Sequence, residues 1–302
     1  MPSSRTALPA VLAGALLLTG CGSRAAGLGS GAVPPSERPP GAPSCGPASG
    51  GAPKPSGQPA LAAVGGVRIT AVRGGCAEFE VTNHEAGPLS YLISFSFLSA
   101  SGQAVASPQQ AVASVGPGRT VPGKVETTAG RPSDGTGRVK ITKVRSVPSA
   151  EASVVGEPCP PSGTRISVDE GDAAMGLRVV GLHLENCGTG TVRLNGYPEL
   201  EVLDEDHKAV DAVQVLHGGS AIASGTGADG GPEPLALQPG QRARAEVVWR
   251  NTVEAGVGDP VNAPYLRVRA APGSAPMTVI PELDLGTTGR LGVSAWKPDG
   301  VG

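Results

Sequence analysis

The chain is 302 residues long and close to neutral, with 24 basic and 26 acidic side chains and a formal charge of -2. Its lysines and arginines are scattered rather than clustered, which argues against a nucleic-acid-binding footprint. Glycine (46) and proline (30) are abundant, whereas Trp (2), Tyr (3) and Phe (3) are scarce, a balance that favours short strands and turns over long helices.

Residues 1–20 read as a secretion signal, with one positive charge at Arg5 and an apolar stretch from Ala7 to Leu18. That stretch is well short of the roughly 20 residues that cross a bilayer. Leu18-Thr19-Gly20-Cys21 resembles a lipobox, the motif read by bacterial lipoprotein-processing enzymes. The resemblance implies cleavage after Gly20 and diacylation of the Cys21 thiol. The mature chain would then be attached to the membrane through an N-terminal lipid, on the outer face of the cell membrane. Residues 21–60 are dominated by Gly, Ala, Pro and Ser. Such a segment cannot bury enough apolar surface to offset its ordering entropy, so a disordered tether spanning on the order of 35 Å is expected.

From Leu61 the sequence alternates with the period of half-buried strands. In AEFEVTN, Phe79 and Val81 share one face; in SYLISFSFL, Tyr91, Ile93, Phe95 and Phe97 do. All three phenylalanines are therefore placed in one small core. In LRVVGLHLEN, Val180, Leu182 and Leu184 alternate with Gly181, His183 and Glu185, and QRARAEVVW brings Val247 and Trp249 to one face. Strands at this spacing, separated by Gly, Pro and Asn, predict an all-β chain built of sandwiches.

The two halves follow one template. Each has a strand ending in Asn (Asn83, Asn186), a second strand, a polar turn, and a Pro-Gly pair before a further strand (Pro117-Gly118, Pro239-Gly240). The second copy carries a longer insertion, about 217–234. Two tandem immunoglobulin-like β-sandwiches are predicted, at 61–150 and 159–302.

The motifs LHLEN, LNGYPELEVLD, LALQPGQRARAEVVW and APYLRVRAAPG together resemble an actinobacterial lipoprotein module, the domain of unknown function 4232, over about residues 159–297. The resemblance implies an extracytoplasmic, disulfide-bearing β-sandwich and no particular activity. The chain departs from that family's pattern at one point. There a cysteine lies on the strand just before Gly-Tyr-Pro, near Val192, whereas here Cys187 follows Asn186 directly. The first half more loosely resembles the small immunoglobulin-like modules of bacterial lipoproteins.

Besides Cys21, the chain has Cys45, Cys76, Cys159 and Cys187, an even number in an exported setting where disulfides persist. Of the three possible pairings, two cysteines per module favours Cys45 with Cys76 and Cys159 with Cys187. No close Cys pair of the CxxC kind offers a zinc site. A nucleophilic cysteine would need a positioned histidine, and strand geometry turns His183 outward with Glu185.

The histidines, His84, His183, His207 and His217, show no ligand spacing such as HxH or HExxH. The acidic run Asp204-Glu205-Asp206 before His207 lacks the glycine and distal glutamate of a calcium loop and reads as a charged hairpin turn. Ser294 and Lys297 form an S-x-x-K without the companion motifs of penicillin-recognising enzymes. Trp249 is expected to pack in the core, and Tyr197 to form a corner with its ring packed and its hydroxyl bonded to backbone. The expectation is a non-enzymatic binding protein of the envelope, without a cofactor, whose partner is an envelope protein or a cell-wall glycan. The competing expectation is an extracytoplasmic metal-binding protein using His207, His217 and acidic loop residues.

Overall fold

Alternation along Cys76–Thr82 and Leu89–Leu98 places successive strands in two facing sheets. The computed structural model describes residues 63–73, 75–127, 138–153 and 159–300. Cys21, the signal, the tether and Cys45 lie outside the described residues. Among the described residues there are strands and turns and no helix.

The first half contributes β1 (Val67–Arg73), β2 (Cys76–Thr82), β3 (Leu89–Leu98), β4 (Ala104–Ala106), β5 (Gln109–Val115), β6 (Thr120–Glu126) and β7 (Arg138–Pro148). One sheet runs β1-β2-β6; in the other, β4, β5 and β7 all pair with β3. Val67, Phe79, Val81 and Val125 from the first sheet meet Tyr91, Ile93, Phe95, Phe97 and Val139 from the second in one buried core. The rings of Phe79 and Phe95 are 5.0 Å apart. Gly123 on β6 makes room for Phe79, since a Cβ there would strike the ring.

The second half continues with β8 (Thr164–Val168), β9 (Asp172–Ala174), β10 (Leu177–Asn186), β11 (Val192–Leu194), β12 (Glu199–Leu203), β13 (Gln214–His217) and β14 (Leu235–Leu237). It ends with β15 (Arg242–Arg250), β16 (Val261–Ala263), β17 (Tyr265–Arg269), β18 (Met277–Val279), β19 (Leu283–Gly286), β20 (Arg290–Val293) and β21 (Lys297–Pro298). The large sheet runs β13-β20-β15-β10-β8, with β21 on β15 and β9 on β10; β12-β17-β18 forms another sheet. Leu182, Leu184, Val247, Trp249, Leu266, Val268 and Leu291 belong to their common core.

The repeated template has a physical basis in two buried asparagines. Asn83 donates through Nδ2 to Gly87 O and Val115 O, both at 2.8 Å, and accepts from Glu85 N at Oδ1. Asn186 donates to Gly190 O and Leu237 O, also at 2.8 Å, and accepts from Gly188 N. Their backbones match as well: Gly118 N and Gly240 N donate to the asparagine carbonyls, while the asparagine N–H groups donate to Arg119 O and Gln241 O. Each asparagine thus ties the end of one strand to the Pro-Gly turn that starts its neighbour. It satisfies one carbonyl in each half, Val115 O or Leu237 O, that would otherwise be buried without this donor.

The halves are joined by specific contacts around β7. Arg145 makes a forked pair with Glu282, at 2.8 and 2.9 Å, and Lys143 adds a 3.2 Å bridge to the same carboxylate. Ser146 N donates to the Tyr265 hydroxyl at 3.2 Å, and His207 Nε2 lies 2.6 Å from Ser146 O. A carbonyl can only accept, so Nε2 of His207 carries the proton. Val147, Leu203 and Tyr265 form a small third apolar cluster here. Beyond it, Glu151 receives Arg267 Nε at 2.9 Å and the Thr278 hydroxyl at 2.6 Å.

Candidate functional site

The feature with least structural explanation is a turn in the second half. β9 and β10 form a hairpin with Ala174 opposite Leu177, leaving Met175 and Gly176 as its two-residue tip. Both have positive φ, +45° and +79°, as the favoured two-residue hairpin turns demand. Asn or Gly normally fills the first of these positions. Here a methionine occupies it and is 98% exposed. A left-handed non-glycine residue costs about 1 kcal/mol or more, and such strain gathers at functional positions.

Next to this tip lies the 251–260 loop, reached directly from β15. Asn251 N donates to Gly176 O at 2.9 Å, tying the loop to the hairpin. The loop exposes two further apolar residues, Val253 (59%) and Val257 (58%). Asp284 on β19 fixes this end from below: it accepts from Trp249 Nε1 (2.8 Å), Asn251 Nδ2 (2.9 Å) and Arg178 Nη2 (3.0 Å). Burial pushes the Asp284 carboxyl upward, but the Trp249 and Asn251 donors and the Arg178 charge outweigh it and hold the group below its ordinary value. It therefore stays ionised and keeps hairpin, loop and core in register. Gly286, at φ +55°, lets β19 pass the loop closely, because a Cβ there would strike Thr252 O.

Beside the loop opens a cleft of about 370 Å³, lined by Ala221, Ile222, Arg250, Glu254, Val257, Thr287, Thr288 and Arg290. It lies where the 251–260 loop, the turn after β19 and the insertion after β13 meet. The sequence-predicted insertion therefore contributes one wall, through Ala221 and Ile222.

The residues singled out from the sequence lie largely elsewhere. Cys159 and Cys187 form a disulfide with Cα atoms 5.6 Å apart. Cys76 is buried and disulfide-bonded, while Cys45 lies outside the described residues. His183 does face outward, where its ring lies between Asp299 (2.7 Å) and Asp169 (3.3 Å). Burial pushes the Asp169 carboxyl upward, yet the Gly181 N–H, His183 and Arg244 bring it below its ordinary value.

His207 and His217 have other engagements. His207 stacks on Tyr265 with ring centres 4.4 Å apart, and His217 stacks on Tyr197 at 4.0 Å. Among the described residues no group of three or more His, Cys, Asp or Glu side chains is placed to hold a metal ion. Ser294 is buried and accepts from Glu246 N, whereas Lys297 Nζ donates to Gly227 O and Asp229 O.

Trp249 packs in the core as expected, and Trp296 is buried with its Nε1 donating to Ala270 O. The Tyr197 ring packs against the core as expected and also stacks on His217, while among the described residues the tyrosine hydroxyl bonded to distant backbone is that of Tyr265. Met175, Arg250, Asp284 and Arg290 were not legible as a group. Only the Met175-Gly176 pair, between two short apolar runs, offered a turn signal.

Residues 159–297 match the family model of the Domain of unknown function (DUF4232). The hairpin tip, the 251–260 loop and the cleft all fall inside this DUF4232 region. A search of curated proteins found no match.

Proposed function

We propose that the chain is a lipid-anchored extracytoplasmic binding protein of the lipoprotein kind found in actinobacteria. In this reading it is held on the outer face of the cell membrane through Cys21 and carries two immunoglobulin-like sandwiches. The second sandwich offers its hairpin-and-loop end to an envelope protein or a cell-wall glycan. The lipobox resemblance at Leu18-Thr19-Gly20-Cys21 supports the anchor. Facing sheets that are antiparallel apart from the β13–β20 pair, and the Asn-to-turn anchor in each half, support the immunoglobulin-like assignment.

The observation that carries the binding role is Met175, a 98% exposed large apolar side chain on a left-handed turn, held above a base fixed by Asp284. Fixing in advance the backbone that presents an exposed apolar group lowers the entropy lost on association, which favours a recognition surface. Methionine also adapts readily to the shape of a partner.

The test has two arms. Fractionation should find the wild-type chain with membranes and the Cys21→Ala chain, once its signal has been removed, free of them; membrane retention of that processed Cys21→Ala chain would contradict the anchor. The soluble Cys21→Ala chain should be retained on isolated envelope material, and adding Met175→Asp should abolish that retention. Equal retention of both would contradict the loop-end role. Protease treatment of the envelope beforehand separates a protein partner from a glycan.

A further inference from the structure

β15 and β20 are antiparallel, with Val248 opposite Gly292 and Trp249 opposite Leu291. One step further, the same register brings Arg250 beside Arg290 at the mouth of the cleft that both residues line. Like charges opposed across a strand pair repel each other. Among the described residues neither guanidinium has a carboxylate within the 4.0 Å of an ion pair. Arg250 is nevertheless held: its Nε donates to Ile222 O at 3.2 Å, which orients the guanidinium and leaves its terminal nitrogens to donate elsewhere. Thr287 Oγ1 accepts from Glu254 N at 2.9 Å, so its own proton is still available. Ala221, Ile222 and Val257 supply the apolar part of the lining.

We infer that this cleft binds an oxyanion head, carboxylate or phosphate, carried on an apolar stem: Arg250 and Arg290 grip the head while Ile222 and Val257 cover the stem. Two adjacent guanidiniums offer the forked, charge-assisted hydrogen bonds that planar oxyanions accept. An anion between them also relieves the repulsion that the bare pair carries. This deepens the loop-end reading of the second sandwich and rests on it, since the cleft shares Val257 and the 251–260 loop with that surface.

The experiment titrates the full Cys21→Ala chain with hexanoate, hexyl phosphate and hexanol, followed by nuclear magnetic resonance shifts. Saturable binding of hexanoate or hexyl phosphate but not hexanol is expected, with the stronger of the two identifying the head group. Arg290→Gln, an exposed change that leaves the core intact, should weaken that binding by about tenfold, as should Arg250→Gln. Raising the salt concentration should weaken it further. Equal binding of hexanol, no binding of either anion, or unchanged binding in Arg290→Gln would overturn the inference. Failure here with Met175-dependent envelope retention intact refutes the anion site alone; loss of both refutes the loop-end reading as well.

Discussion

The sheet β1-β2-β6 of the first half and β8-β10-β15 of the second pair in the same order and carry the same asparagine anchor, yet they end differently. Among the described residues the first sheet stops at β6, where Pro122 sits opposite Glu80. A proline has no N–H to give, so it suits an edge and discourages further pairing. The matching position of β15 is Arg244, opposite His183 and also paired with Lys297 of β21. From β15 the sheet continues into β20 and the parallel strand β13. The contrast shows how one template gives a closed scaffold in one copy and a cleft in the other: the added strands place Arg290 next to Arg250 and bring the insertion alongside.

Breaking the shared anchor should produce the largest effect. Asn83→Ala and Asn186→Ala each leave two backbone carbonyls without their donor and should each cost about 3 kcal/mol. Both tryptophans, Trp249 and Trp296, belong to the second half. In urea unfolding, Asn186→Ala should therefore lower the midpoint seen by tryptophan fluorescence, while Asn83→Ala lowers mainly the midpoint seen by far-ultraviolet circular dichroism. Equal shifts of the fluorescence midpoint would mean that the halves unfold as one.

Removing the feature specific to the second half comes next. Asp284→Ala strands the buried Trp249 N–H and should cost about 2 kcal/mol, and it should also release the hairpin and the 251–260 loop. Asp284, Asp169 and Glu282 all have carboxyl groups held below their ordinary values; for Glu282 burial acts upward and is outweighed by Arg145 and Lys143. A depressed folded-state value contributes stability above the unfolded value and loses it as pH falls through the folded one. The wild type should thus lose stability as pH drops below about 4, and Asp284→Ala should lose less of it over that range. An identical acid profile would contradict the role given to Asp284.

The smallest effect is expected at the junction of the halves. Arg145→Ala removes a partly exposed forked pair and should cost about 1 kcal/mol. It should also widen the gap between the circular dichroism and fluorescence midpoints, and an unchanged gap would show that Arg145 does not couple the halves.

Much of this architecture could be read from residues whose effect is local. Alternation in SYLISFSFL placed Tyr91, Ile93, Phe95 and Phe97 on one face, and all four are buried together. The Asn and Pro-Gly spacings flagged the repeat because both features act over a few residues. The β13–β20 pairing was invisible, since its partners are more than 70 residues apart and their register depends on the assembled sheet. For the same reason Arg250 and Arg290 read as ordinary scattered charges. His207 read as part of a solvated hairpin turn, because nothing near it in sequence announces that β7 supplies Ser146 O as its partner.

In the proposed function, recognition belongs to the hairpin-and-loop end of the second sandwich. Hydrogen exchange of the full Cys21→Ala chain, with and without isolated envelope material, tests it most directly. Added protection confined to residues 172–178, 219–223 and 251–260 is the predicted result. Protection on the β1-β2-β6 sheet of the first half instead, or none at the hairpin, would contradict the account.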